Sequence, residues 1–303
     1  MKNKLRGSIG LLLATVIWGS AFVAQSVGMD HIGPYTFQAI RCAMASLGLL
    51  PMIALFDLRK KDGRTFLSRF FDKQLWTAGL LCGIPLCFAV NLQQVGIVYT
   101  EAGKAAFLTA MYIIFVPVIG IFRKQRPTLM IPIAVALAAV GLYFLSWAGV
   151  DAINFGDVCL LLCALAFALQ ITVVDHYAPS VDPLRLNCIQ AAVCAVGSAL
   201  IMAFTESPTI PGIQRSFWPM CYAGFLSMGA AYSLQIIGQK DLPSAPAALI
   251  MSMESVFAVL FGWLLLQEEL TIWESMGCLL VFLAVVLSQI PIPKKENIKR
   301  HRH

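Results

Sequence analysis

Ten stretches of about 20 mostly apolar residues, joined by short polar connectors, constrain this chain more than any other feature of its sequence. They cover 8–27, 34–56, 74–98, 100–122, 128–147, 155–174, 183–204, 217–238, 243–266 and 270–290. At a rise of about 1.5 Å per residue, each is long enough to cross the hydrocarbon core of a bilayer as a helix. A helix satisfies its own backbone polar groups there. Only 13% of the 303 residues are charged, against about 25% in a soluble domain, so a water-soluble fold would lack the polar surface to coat itself. The expected fold is an all-α integral membrane protein of ten transmembrane helices. Pro34, Pro183 and Pro243 stand at first-turn positions, where a missing N–H costs nothing. Pro85, Pro117 and Pro246 lie inside spans and are expected to bend or interrupt them.

Charge fixes the expected orientation. With the N-terminus in the cytoplasm and ten alternating spans, nineteen of the 22 Lys and Arg residues fall on the cytoplasmic side and Arg215 alone on the other. Arg41 and Lys104 remain inside spans. This bias follows the positive-inside pattern, places both termini in the cytoplasm and suits a plasma (inner) membrane. It also accounts for the net charge of +6 without nucleic acid, since no basic face is interleaved with stackable aromatics. The opening basic residues Lys2, Lys4 and Arg6 precede a run to Val27 that is long enough to span and lacks a small-residue cleavage site, so it reads as a retained helix. All nine cysteines sit in apolar segments without metal-type spacing and read as packing residues.

The chain also repeats itself. A shift of 149 lays Gly7 on Gly156, Leu11 on Leu160, Trp18 on Phe167, Pro34 on Pro183 and Gly48 on Gly197. A shift of 142 lays Gln93 on Gln235, Gly96 on Gly238, Ala105-Ala106 on Ala247-Ala248 and Gly120 on Gly262. The change of register falls near Ala78-Gly79 and Ala223-Gly224. Residues 1–149 and 150–303 thus form two five-helix units. Five is odd, so the second unit enters the membrane upside down relative to the first, about a pseudo-two-fold axis in the membrane plane. Exchanging the conformations of the halves turns an inward-open protein outward-open, with two states of similar energy.

The Trp18-Gly19-Ser20-Ala21-Phe22 stretch, Arg41 in the second span, and the run from Glu254 through Phe261-Gly262-Trp263-Leu264-Leu265-Leu266-Gln267-Glu268 resemble the EamA-type carriers of the drug/metabolite transporter superfamily. The resemblance covers both units. It implies a secondary carrier, often an exporter, of amino acids, other metabolites or drugs, with no cofactor. In two places the chain departs from the pattern. Glu254-Ser255 precede Val256-Phe257-Ala258 where a proline is usual, and the helix ends in Gln267-Glu268 rather than Gly-Glu.

Ionisable groups inside a span cost several kcal/mol unless paired and are default functional candidates. Glu254 lies mid-span, with Tyr112 as its repeat partner. It either holds a proton or a substrate ammonium, or serves as a hydrogen-bonded carboxyl between helices. Arg41 has Gln38 one turn before it, and their repeat partners Gln190 and Asn187 keep the same spacing, giving two polar stripes expected to face one chamber. Arg41 could clamp a carboxylate or brace the bundle through carbonyls. Gln93, Gln235 and Gln170 suit hydrogen bonds to a substrate or to another helix. Trp18, Phe167 and Tyr112 supply midplane rings for a solute or for packing. Lys104 is either a gate residue or an i,i+3 partner of Glu101.

Two other classes stand beside a carrier. An enzyme acting on a lipid-borne substrate would need convergent acids, bases or ligands, but the four histidines, His31, His176, His301 and His303, all lie outside the spans. Gly103-Lys104 lacks the rest of a phosphate loop. A channel has no need of inverted halves. The expected partners are a small-molecule substrate and membrane lipid, with proton coupling or exchange as the energy source.

Overall fold

The computed structural model describes residues 2–60, 63–100, 102–123, 130–145, 154–266 and 271–288. These are almost entirely helical. The first unit holds α1 (Lys2–Gly28), α2 (Pro34–Asp57), the short connector helix α3 (Phe66–Phe70), α4 (Lys73–Tyr99), α5 (Ala102–Ala110), α6 (Tyr112–Phe122) and α7 (Met130–Leu145). The second holds α8 (Phe155–Tyr177), α9 (Pro183–Thr205), the short α10 (Ile210–Arg215), α11 (Phe217–Cys221), a π-helix (Tyr222–Ala231), α12 (Tyr232–Gln239), α13 (Ser244–Met251), α14 (Met253–Leu266) and α15 (Ile272–Ser288). Taking broken helices as single rods, eight among the described residues are long and apolar enough to cross a membrane, and 130–144 and 272–288 are shorter apolar helices. The chain is a multi-pass membrane protein. Its outer surface shows side chains that water would not tolerate in such number, among them Leu47, Leu55, Phe88 and Phe204.

Packing repeats with the sequence. α1 packs on the π-helix and α12, as α8 packs on α4; α1 also packs on α13 and α14, as α8 packs on α5 and α6. The pairs α2–α9 and α7–α15 meet across the pseudo-axis. Small residues permit the close crossings. A Cβ on Gly7 would lie 2.9 Å from the Gly238 carbonyl oxygen, and a Cβ on Gly156 would lie 2.9 Å from that of Gly96. These are the same contact written twice, since both glycine pairs are repeat equivalents. Lipid tails are as apolar as leucine, so close backbone approach is a main source of helix association here. Gly7→Ala is therefore expected to lower stability by about 1–2 kcal/mol, because a backbone atom cannot yield. Gly10→Ala, whose Cβ would meet nothing nearer than 3.8 Å, is expected to raise it by up to about 1 kcal/mol through helix propensity. Thermal unfolding in one detergent compares the two.

The prolines do not set the interruptions. Pro85 lies inside the continuous α4, and the breaks come at Met111 and Ser252, away from Pro117 and Pro246. Both are local tightenings to i→i+3 bonds, from the Ile114 N–H to the Met111 carbonyl at 3.0 Å and from the Ser255 N–H to the Ser252 carbonyl at 3.1 Å. Each break falls just before a polar residue of interest, Tyr112 directly after Met111 in one unit and Glu254 two residues after Ser252 in the other. The change of register near Ala223-Gly224 coincides with the π-helix, whose wider turns rephase the side chains that follow.

Candidate functional site

The two breaks bring their residues together on the pseudo-axis. Tyr112 donates its hydroxyl to Glu254 Oε1 at 3.0 Å, with both side chains buried. The bond therefore joins repeat equivalents to each other. Around it lies a cavity of about 30 Å³, lined by Trp18, Phe22, Gln25, Arg41, Gln93, Tyr112, Phe167, Ile171, Ser227, Tyr232, Gln235, Met251 and Glu254. That volume holds about two waters, so this conformation is nearly shut around the centre. Trp18 and Tyr232 meet edge to face at 5.0 Å, and Tyr112 and Phe167 at 6.4 Å, so aromatic rings from both units wall the space.

Buried polar atoms normally find partners, yet four on this wall have none: Trp18 Nε1, Gln25 Oε1, Arg41 Nη1 and Gln235 Oε1. Two are donors and two are acceptors. Arg41 is 2% exposed, and its Nε donates to Gln38 Oε1 at 2.6 Å. Its repeat partner does the same: Gln190 Nε2 donates to Asn187 Oδ1 at 2.9 Å. The two stripes expected from sequence thus form in both units, but only one reaches the chamber.

Seven of the sequence candidates line the cavity: Trp18, Arg41, Gln93, Tyr112, Phe167, Gln235 and Glu254. Gln38 stands behind Arg41. Asn187 is consumed by the Met228 and Gly229 carbonyls and by Ser233 Oγ, at 3.0, 2.8 and 2.9 Å. Gln170 and Gln190 belong to a chain of amides beside the cavity. In it Gln235 Nε2 donates to Gln170 Oε1 at 3.0 Å and to Gln239 Oε1 at 2.9 Å, and Gln239 Nε2 donates to the Ile171 carbonyl at 2.9 Å. Lys104 lies apart from the cavity. Its ammonium reaches Asp157 Oδ2 at 2.9 Å, bonding α5 to the capped N-terminus of α8, and it takes no part in the cavity wall. Glu101 lies outside the described residues. Gln25 was missed by sequence reasoning although it follows Trp18 by two helical turns and so shares its face. Tyr232 and Ser227 carried no signal, because the π-helix sets their phase.

The ends of α2 and α9 are stapled together twice. At the end bearing the 59–73 basic cluster, the Arg185 guanidinium is paired with Asp57 and lies 3.3 Å from Asp182 Oδ2, while Lys60 reaches Asp182 at 3.0 Å. At the opposite end, Glu206 accepts the Tyr35 and Thr36 backbone N–H groups at 2.9 and 2.8 Å and the Thr36 hydroxyl at 2.6 Å. Asp57 and Glu206 are repeat equivalents, as are Thr36 and Arg185, so one staple is written in two chemistries. Burial pushes the Asp182 carboxyl up. The Lys60 hydrogen bond, the Arg185 N–H and both positive charges outweigh burial and hold it below its ordinary value. Its share of the staple is therefore intact at neutral pH and is lost only as pH falls below about 4.

A family model described as the EamA-like transporter family matches the chain twice, over residues 5–147 and 154–289. An uncharacterized transporter of Archaeoglobus fulgidus is 31% identical over 296 residues, covering 96% of this chain and 88% of that protein. The threonine/homoserine exporter RhtA of Escherichia coli (strain K12) is 27% identical over 303 residues, covering 95% and 92%. A crystal structure 15% identical in sequence matches with a TM-score of 0.75 over 93% of this chain and 96% of that one, and so shares its fold. The chain belongs to the EamA-like transporter family of the drug/metabolite transporter superfamily, and it is a transporter rather than an enzyme.

Proposed function

We propose that this protein is a secondary carrier that exports a small zwitterionic metabolite of the amino-acid class by alternating access. It would sit in the plasma membrane with the basic end and both termini in the cytoplasm, and residues 1–149 and 150–303 would act as the two exchanging units. The observation that carries this reading is the set of four unpartnered buried atoms on the cavity wall. A carboxylate would accept from Arg41 Nη1 and Trp18 Nε1. An ammonium would donate to Gln25 Oε1, Gln235 Oε1 and Glu254. The name of the RhtA relative, which specifies threonine and homoserine, supports the same class. Gln93 and Tyr112 complete the wall, while Gln38, Gln170, Asn187 and Gln190 position the lining residues.

Counterflow of a labelled amino-acid panel into proteoliposomes of the purified protein tests the reading, which fails if no zwitterion moves. Glu254 is the carboxyl group that would meet the ammonium of the solute and release its proton as the solute binds, with Tyr112 and Tyr232 as its titratable neighbours. Glu254→Gln is expected to flatten the pH dependence of transport measured between pH 6 and pH 8. An unchanged profile removes the proton from the cycle.

A further inference from the structure

The pseudo-axis carries the amide chain onto residues that cannot reproduce it. Gln170, Gln190, Gln235 and Gln239 have as equivalents Ala21, Arg41, Gln93 and Ile97. On the basic side the amides tie α8, α9 and α12 together through hydrogen bonds of 2.9–3.5 Å. On the other side Ala21 and Ile97 have no polar group to offer, Arg41 Nη1 is unpartnered, and Gln93 has only a 3.5 Å contact with Thr109. Inverted repeats would otherwise make the two access states alike in energy. Here the sequence breaks that symmetry at one gate.

Opening the basic side would break the chain, and the residues that mirror it have no equivalent bonds to gain from protein alone. A ligand in the chamber changes this balance. Its carboxylate gives Arg41 Nη1 and Trp18 Nε1 the partners that the opposite gate lacks. We propose that the carrier is a solute-for-solute exchanger: empty, it rests closed on the amide side, and it crosses to the other state rapidly only with the chamber occupied. This rests on the proposed reading of the chamber as a zwitterion site and specifies its mode of operation. Gln239 is the residue to alter, because it supplies two bonds of the chain and does not line the cavity.

The test uses the full chain in proteoliposomes loaded with labelled L-threonine. Exit into buffer containing unlabelled L-threonine is expected to be at least tenfold faster than exit into plain buffer. Gln239→Leu should speed exit into plain buffer about fivefold and leave exchange near its original rate, narrowing the gap. Equal rates in the two buffers, or a ratio unmoved by Gln239→Leu, overturn the proposal while leaving carriage itself intact. If L-threonine moves in neither mode, the amino-acid reading fails instead, and hydrogen exchange of the empty protein then decides the gate. Gln239→Leu should make amides of 171–177 and 232–239 exchange about tenfold faster and those of 22–28 and 93–99 more slowly. A merely local loosening would leave the second pair of segments unchanged, and that result overturns the proposal.

Discussion

Arg41→Gln is expected to cut transport by roughly 30- to 150-fold in kcat/KM while leaving the protein as stable as before, or more stable. Removing a charged hydrogen-bond partner of a carboxylate costs about 2–3 kcal/mol of binding, and each 1.36 kcal/mol is tenfold in rate. The guanidinium is buried with its Nη1 unsatisfied, an arrangement that is destabilising in itself. The second unit shows that glutamine fits this position, because Gln190 occupies the equivalent place and keeps the i,i+3 bond. Were Arg41 a brace for the bundle, the same substitution would lower the melting temperature. Transport and thermal unfolding measured on one preparation separate the roles: loss of transport with intact stability assigns Arg41 to the solute.

Asp57→Asn is expected to have the largest effect on stability, a loss of about 3 kcal/mol. It leaves the Arg185 guanidinium 2% exposed, with Asp182 as its remaining carboxylate partner and the Phe70 ring 5.2 Å below. Removing one side of a buried pair strands the other charge, which costs more than the pair contributed. The opposite end supplies the rescue. Asp57→Glu combined with Arg185→Thr removes the stranded charge and brings the carboxylate–hydroxyl bond of Glu206 and Thr36 to the basic end, with Asp182 keeping the N–H of position 185, and should recover most of the loss. Denaturation of the single and double variants in the same detergent checks this. A double variant no more stable than Asp57→Asn would mean that the two staples are not equivalent.

Much of this architecture was legible in the sequence because lipid simplifies the pattern. Apolar length gave the helices, and the two offsets gave the repeat. The repeat paired Gln38 and Arg41 with Asn187 and Gln190, and Tyr112 with Glu254; the bonds within each stripe and between Tyr112 and Glu254 came from the structure. The identity of the cavity wall was less legible. Which face of a helix looks inward depends on its rotation, and here rotation is set by close contacts such as a Cβ on Gly19 lying 2.8 Å from the Ala258 nitrogen. It depends as well on the breaks at Met111 and Ser252 and on the π-helix, none of which has a signal in residue type. For that reason Asn187 and Gln190, which look like Gln38 and Arg41 in sequence, are spent on backbone carbonyls and neighbouring amides. Lys104 illustrates another limit. Its partner Asp157 lies 53 residues away, beyond what local spacing can propose, and the Asp57–Arg185 pair spans 128.

If the chamber on the pseudo-axis is the path of the solute, a reactive group placed in it must be reached from both faces of the membrane. Ser227 lines the chamber from the π-helix, so Ser227→Cys places a thiol in the path. Alkylation by a membrane-impermeant maleimide in right-side-out and in inside-out vesicles, counted above the unsubstituted protein, reads access from each face. Labelling from both faces, slower from the amide-chain side and blocked by the transported zwitterion, is the expected result. Labelling from one face alone, indifferent to the solute, would contradict it.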